Sequence, residues 1–193
     1  MRVVGGEWGS RRLQAPAGRN LRPTSDRLRE TLFDVLGPAV AGAAFVDGFA
    51  GTGAVGIEAF SRGARPVIWI EGAAAAARLL RSNLGALGAA ADPAAVVLER
   101  RLPAAVAALA RLPALLEAGG AQFVFLDPPY ADTRVAEQTL LGLQQYPEVL
   151  APGGRVVWET AARTRLPEIP GRWRVQRRHR QGDSQLVFFE MAY

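Results

Sequence analysis

The segment Phe45-Val46-Asp47-Gly48-Phe49-Ala50-Gly51-Thr52-Gly53-Ala54-Val55-Gly56 restricts the possible folds more than any other part of the chain. An apolar run leads into a cluster of glycines, and a helical pattern resumes at Ala54. Gly51, Gly53 and Gly56 have G-x-G-x-x-G spacing, the signature of a strand–turn–helix unit whose backbone can approach a nucleotide closely. A second apolar run, Val67–Ile70, ends at Glu71, 20 residues after Gly51. A carboxylate at that distance meets ribose hydroxyls.

The rest of the chain extends the same alternation. Ala44–Asp47, Val67–Ile70, Ala95–Leu98, Phe123–Leu126 and Arg155–Trp158 read as strands. Ala54–Arg62, Ala73–Leu87, Ala104–Glu117 and Thr133–Tyr146 read as helices between them. Short apolar strands alternating with helices predict an α/β fold with a mostly parallel sheet and helices on both faces. Pro103 suits a first helical turn, whereas Pro113 should kink or end its helix. Near the N-terminus, Val3–Gly6 and Arg12–Gln14 can form a small hairpin around Gly9. A helix follows to about Leu36, with Ser25 or Asp26 as its cap. At the far end, Arg172–His179 and Gln185–Met191 alternate in strand fashion around Gly182-Asp183, a hairpin that should add antiparallel strands to the sheet edge. The expected organisation is a single domain over 1–193, with an extension at 1–36 and a core at 37–193.

Composition limits the chemistry. There is no cysteine and one histidine, so disulfides, structural zinc and cysteine nucleophiles are excluded, and no metal is expected. No apolar run is long enough to span a bilayer, and Met1–Arg12 is polar and charged, unlike a signal peptide. The expected address is the cytoplasm, with no membrane contact. All 23 basic residues are arginine. The net charge is +3 over residues 1–36, −2 over 37–162 and +4 over 163–193. Positive ends around a slightly acidic centre suit a phosphate backbone, which arginine meets with bidentate forks. A GC-rich genome could also inflate arginine and alanine together.

Two carboxylates bear on the ligand. Asp47 stands at a strand end just before the glycines, where it can face the cationic aminoacyl end of a sulfonium ligand. The pyrophosphate of a dinucleotide would be repelled there. With Phe49, Gly51, Gly53 and Glu71 it resembles motif I of class I methyltransferases, which implies S-adenosyl-L-methionine as cofactor. Leu126-Asp127-Pro128-Pro129-Tyr130 follows the fourth strand and resembles the Asp/Asn-Pro-Pro-Tyr/Phe motif of enzymes that methylate exocyclic base amines. Such an amine is a poor nucleophile, because its lone pair is delocalised into the ring. Hydrogen bonds to the Asp127 carboxylate and to a carbonyl of the Pro128-Pro129 turn would draw the nitrogen toward tetrahedral geometry. The prolines hold that carbonyl in place, which is preorganisation rather than acid–base power. Tyr130 would stack on a base that is flipped out or unpaired.

The resemblance extends to a family. Arg2–Gly6, Gly9–Leu13, Arg22–Glu30, Phe49–Ala64 and Gly182–Leu186 look like the small-subunit rRNA methyltransferase D family, over nearly the whole chain. That resemblance implies a class I fold with a seven-stranded sheet and a small N-terminal hairpin and helix extension. It also implies N2-methylation of a guanine in 16S rRNA, a small-subunit assembly particle as partner, and a monomer. For Arg22, Thr24, Asp26 and Arg29 it suggests packing against the cofactor and target pocket. Arg22, Thr24 and Arg29 are also candidate RNA contacts, as are Arg172, Arg174 and Arg178, which share one strand face, with Trp173 and Val175 on the other. One departure stands out. Many class I enzymes bind adenine through an acidic or amide side chain after the third strand, and here the stretch reads Glu99-Arg100-Arg101-Leu102.

Other readings stay open. An N6-adenine DNA methyltransferase would use the same Asp-Pro-Pro-Tyr chemistry. It would normally need a larger recognition insertion than 193 residues allow. A nicotinamide-dependent oxidoreductase would explain the glycine turn alone, and a catalytically silent RNA-binding protein would keep only the fold.

Overall fold

The computed structural model describes residues 1–15, 26–128, 133–169 and 171–192. Its centre is one sheet of seven strands: β1 (Phe45–Asp47), β2 (Val67–Ile70), β3 (Ala95–Leu98), β4 (Ala121–Leu126), β5 (Leu150–Ala161), β6 (Trp173–Gln181) and β7 (Ser184–Met191). Their spatial order is β3-β2-β1-β4-β5-β7-β6. The first five strands run parallel, and β7 enters antiparallel between β5 and the edge strand β6. This is the expected α/β architecture, with β4 in the middle of the sheet.

Among the described residues, six α-helices cover the two faces: α1 (Asp26–Leu36), α2 (Ala54–Ser61), α3 (Ala74–Ala86), α4 (Val106–Leu109), α5 (Pro113–Glu117) and α6 (Thr133–Gln145). Side chains alternate across a strand, so each strand feeds both layers. Phe45, Val67, Trp69, Phe123, Phe125, Val157 and Phe188 pack with α1, α2, α3 and the N-terminal segment. Val46, Ile68, Ile70, Val124, Leu126, Trp158 and Phe189 pack with α4, α5 and α6. Burial on both faces explains why the parallel strands read as continuous apolar runs rather than alternating ones.

The expected helix over Ala104–Glu117 is two short helices instead. Proline lacks the amide that would continue the first, and Pro113 begins α5, where no intrahelical donor is required. The N-terminal hairpin is present as a single bridge between Arg2 and Arg12, with Val3 N donating to Arg11 O at 2.9 Å and Ser10 N to Val3 O at 2.9 Å. Gly6 has φ +76°, and a Cβ there would lie 2.0 Å from Ser61 O, so the hairpin docks against the end of α2 only with glycine at this position.

Candidate active site at the carboxyl rim of the sheet

The glycine turn is braced by the two carboxylates that the sequence singled out. Helix α2 has Gly53 at its N-cap, in a left-handed conformation and without a side chain to cap the helix. Asp47 supplies the missing acceptor: its Oδ2 receives the Gly56 amide at 2.8 Å. Gly56 itself allows close helix–strand packing, since a Cβ there would fall 2.2 Å from Trp69 Nε1. Asp47 is buried, and its pKa is raised from the ordinary 3.8 to about 7. Burial is the main cause and the Glu71 charge adds to it, while the Gly56 amide opposes both.

Glu71 bridges two loops. Its Oε2 accepts from Gly51 N at 2.8 Å and its Oε1 from Ala73 N at 2.7 Å. Gly51 has φ +53°, and the space where its Cβ would stand is open, with Phe49 O at 4.0 Å as the nearest atom. The turn therefore presents bare backbone to the rim beside Glu71.

Asn83 of α3 was not singled out by sequence reasoning. Its side chain is buried, and its Nδ2 donates to Thr52 O in the turn at 3.0 Å and to Gln14 O at 3.2 Å. Its Oδ1 accepts from Gln14 N at 2.8 Å, which fastens the N-terminal segment to the glycine turn. A lone amide in an Ala-rich helix carries no periodic signal that would have marked it.

Asp127 emerges on the same rim. Strand β4 pairs parallel with β1, and Phe125 is the register partner of Asp47. Gly48 N donates to Phe125 O at 2.8 Å, so the two chains remain joined just past the strand end. Asp127 lies two residues beyond that partner, half-buried, followed by a buried Pro128. A Cβ on Gly48 would approach Leu126 Cδ2 to 2.7 Å and Phe125 O to 2.8 Å, so glycine allows the two loops to leave the sheet side by side. Pro129 and Tyr130 lie outside the described residues, as do Arg22 and Thr24.

Two expectations need correction. Arg29, expected as an RNA contact, is fully buried. It pairs with Asp26 at 2.9 Å and with Glu58 at 3.5 Å, and donates to the Arg2 carbonyl. Glu58 of α2, also buried, accepts from Val4 N and Gly5 N at 2.7 Å each and pairs with Arg62 at 2.9 Å. A buried charge persists only when paired and hydrogen-bonded, so Arg29 is an internal strut joining the extension to α2 rather than an RNA contact.

The second correction concerns β6. Its register against β7 shifts between Val175 and Arg177. One extra residue, Gln176, reverses the alternation beyond it. Arg174 opposes Glu190 and shares a face with Arg177 and His179, whereas Arg178 opposes Val187 on the Trp173 and Val175 face. Arg174 and Arg178 are therefore on opposite faces, and Arg172 precedes the strand. All three are exposed. Trp173 is buried, with its Nε1 donating to Leu140 O at 2.9 Å and its ring edge-on to Phe189. Glu99, the remaining acidic residue after β3, is paired with Arg81 at 2.5 Å.

Comparisons with known proteins agree with this fold. A family model described as conserved hypothetical protein 95 matches residues 1–190. Ribosomal RNA small subunit methyltransferase D of Escherichia coli strain K12 is 36% identical over 177 residues, covering 92% of this chain and 83% of that protein. The putative rRNA methyltransferase YlbH of Bacillus subtilis strain 168 is 34% identical over 171 residues, 89% of this chain and 88% of that one. Among solved structures, the putative methyltransferase yhhF from Escherichia coli superposes with a TM-score of 0.80 at 30% identity, over 99% of this chain and 97% of that one. With a class I methyltransferase fold and a match along nearly its whole length, the chain belongs to the family that includes small-subunit rRNA methyltransferase D.

Proposed function

We propose that this protein transfers a methyl group from S-adenosyl-L-methionine to the exocyclic N2 amine of a guanine in 16S rRNA. The observation that carries the reading is the β1–β4 register, which brings the glycine turn and Asp127 out of neighbouring strands on one rim.

The residues at the turn suit the cofactor. The open space at Gly51 admits a ligand against bare backbone, and Glu71 retains lone pairs for ribose hydroxyls beyond its two amide bonds. Asp47, Phe49, Gly51, Gly53 and Glu71 would hold the cofactor, with Asp47 opposite its positive end. When bound, the cofactor supplies an electrophilic methyl group on a sulfonium.

The chain's own contribution is to make the base amine reactive. The Asp127 carboxylate accepts a hydrogen bond from the amine, and the Pro128-Pro129 corner offers a fixed carbonyl for the other N–H. Nitrogen thereby leaves conjugation with the ring. Tyr130 stacks on the extruded base, and the amine's proton becomes acidic only after attack, so no strong base is needed. Positioning supplies most of the acceleration.

The substrate would be held by exposed arginines along the β6 edge, Arg172, Arg174 and Arg178 among them, and by Arg22 and Thr24 near the N-terminus. Phosphate contacts of this kind set orientation, while the pocket reads the base. The names of the relatives favour ribosomal RNA over DNA, and no helix among the described residues is long and apolar enough to cross a membrane.

The decisive assay supplies labelled methyl donor to small-subunit particles from a strain lacking the corresponding enzyme and maps the modified nucleotide. Label on a guanine N2 of 16S rRNA is the expected result. Label on DNA adenine, or on no nucleic acid, would refute the assignment.

A further inference from the structure

The structure assigns the purine of the methyl donor to Arg101, a residue that departs from the acidic or amide side chain anticipated at this place. The inference rests on the cofactor reading above. Strands β1, β2 and β3 are successive neighbours. The glycine turn leaves β1, and the ribose carboxylate Glu71 follows β2. A nucleoside with its ribose at Glu71 and its other substituent toward the turn must direct its base toward the residues after β3.

Those residues are Glu99-Arg100-Arg101-Leu102. Leu102 is buried in the core beneath, and Glu99 is engaged by Arg81 of α3. Arg100 lines an open groove of about 380 Å³ with Ala104, Ala107, Ala108 and Arg111. Arg101 is placed differently. Its side chain lies across Gly72, the residue immediately after Glu71. A Cβ at position 72 would be 2.2 Å from Arg101 Cγ, 3.1 Å from Nε and 3.2 Å from Cδ. Gly72 has no left-handed φ to require a glycine, so the missing side chain serves space alone. The guanidinium makes no hydrogen bond or ion pair with any described residue.

A guanidinium whose stem crosses the residue next to the ribose carboxylate, with no partner among the described residues, is suited to a purine. It can stack on the ring face, which is electron-rich and attracts a delocalised cation. This chemistry replaces an acceptor for the 6-amine with a cationic platform. Gly72 keeps that platform close to the sheet, so the two positions form one device.

Calorimetry with S-adenosylhomocysteine and with 5′-methylthioadenosine, which lacks the aminoacyl end, tests the assignment without turnover. R101A should weaken both ligands about tenfold, the scale of a desolvated cation–π contact. R101K, which keeps the charge but loses the plane, should recover only part of that. G72A should imitate R101A by displacing its stem, and the double variant should be no weaker than either single one. Both positions are at the surface, and circular dichroism confirms that each variant is folded. Unchanged affinity in R101A, or G72A and R101A effects that multiply, would overturn the assignment. Failure of the wild-type protein to bind either nucleoside would instead overturn the cofactor reading on which it rests.

Discussion

Replacing Asp47 with asparagine should make the ligand-free protein more stable and a poorer binder of its cofactor. The substituted side chain would keep an acceptor for the Gly56 amide and lose the charge. In the folded protein Asp47 titrates at about 7, against 3.8 for an ordinary aspartate. Between those values the folded state holds a proton that the unfolded chain has released. Stability therefore falls as pH rises through this window, and the loss is complete above pH 7. At 1.36 kcal/mol per pH unit, the full penalty is about 4 kcal/mol. The D47N variant escapes it, less about 1–2 kcal/mol if its NH2 finds no partner. Thermal unfolding of both proteins from pH 4 to pH 8 measures the effect. The two curves should diverge with rising pH, D47N reaching roughly 5–15 °C above wild type at pH 8, because 1 kcal/mol moves the midpoint of a chain this size by about 2–4 °C. S-adenosylhomocysteine, which carries an ammonium group, should bind wild type more tightly as Asp47 ionises toward pH 8. In D47N that pH dependence should be flat. Parallel melting curves would refute the reasoning, since they would mean that Asp47 ionises in the folded state as easily as in water.

Four other outcomes are expected. D127A and Y130A should each remove most methyl transfer, by about 100-fold or more for the loss of a preorganised acceptor, while S-adenosylhomocysteine affinity stays within about twofold of wild type; calorimetry and single-turnover rates separate the two. R29M should destabilise the fold by about 3–5 kcal/mol in urea titration, because it removes the buried cation that faces Glu58 and Asp26, and adding E58L should bring no recovery, since Val4 N and Gly5 N then lose their acceptor. N83A loses three hydrogen bonds to backbone, at Thr52 and Gln14, and should cost about 2–3 kcal/mol together with a raised KM for the methyl donor. R174A and R178A should each lower rRNA affinity and reduce the slope of log affinity against log salt by about 0.7–0.9, leaving cofactor binding unchanged.

The sequence alone determined the βα framework, the glycine turn with its two carboxylates, and the Asp127-Pro128 corner, because each is a local pattern with its own backbone requirement. Glycines that take positive φ, a proline that can only begin a helix, and apolar runs buried on both faces keep their meaning wherever they fold. Tertiary structure decided what depends on distant partners. Arg29 reads as one arginine among 23 on a short helix, and only the approach of Glu58 and the Arg2 carbonyl turns it into an internal strut. Arg174 and Arg178 share parity in the sequence, and one extra residue at Gln176 separates them onto opposite faces. Gly72 and Arg101 are 29 positions apart and show their relation only where β2 and β3 end side by side. Burial and pairing are properties of the assembled sheet. A linear pattern encodes which residue can occupy a position, and the packed structure decides what that residue meets there.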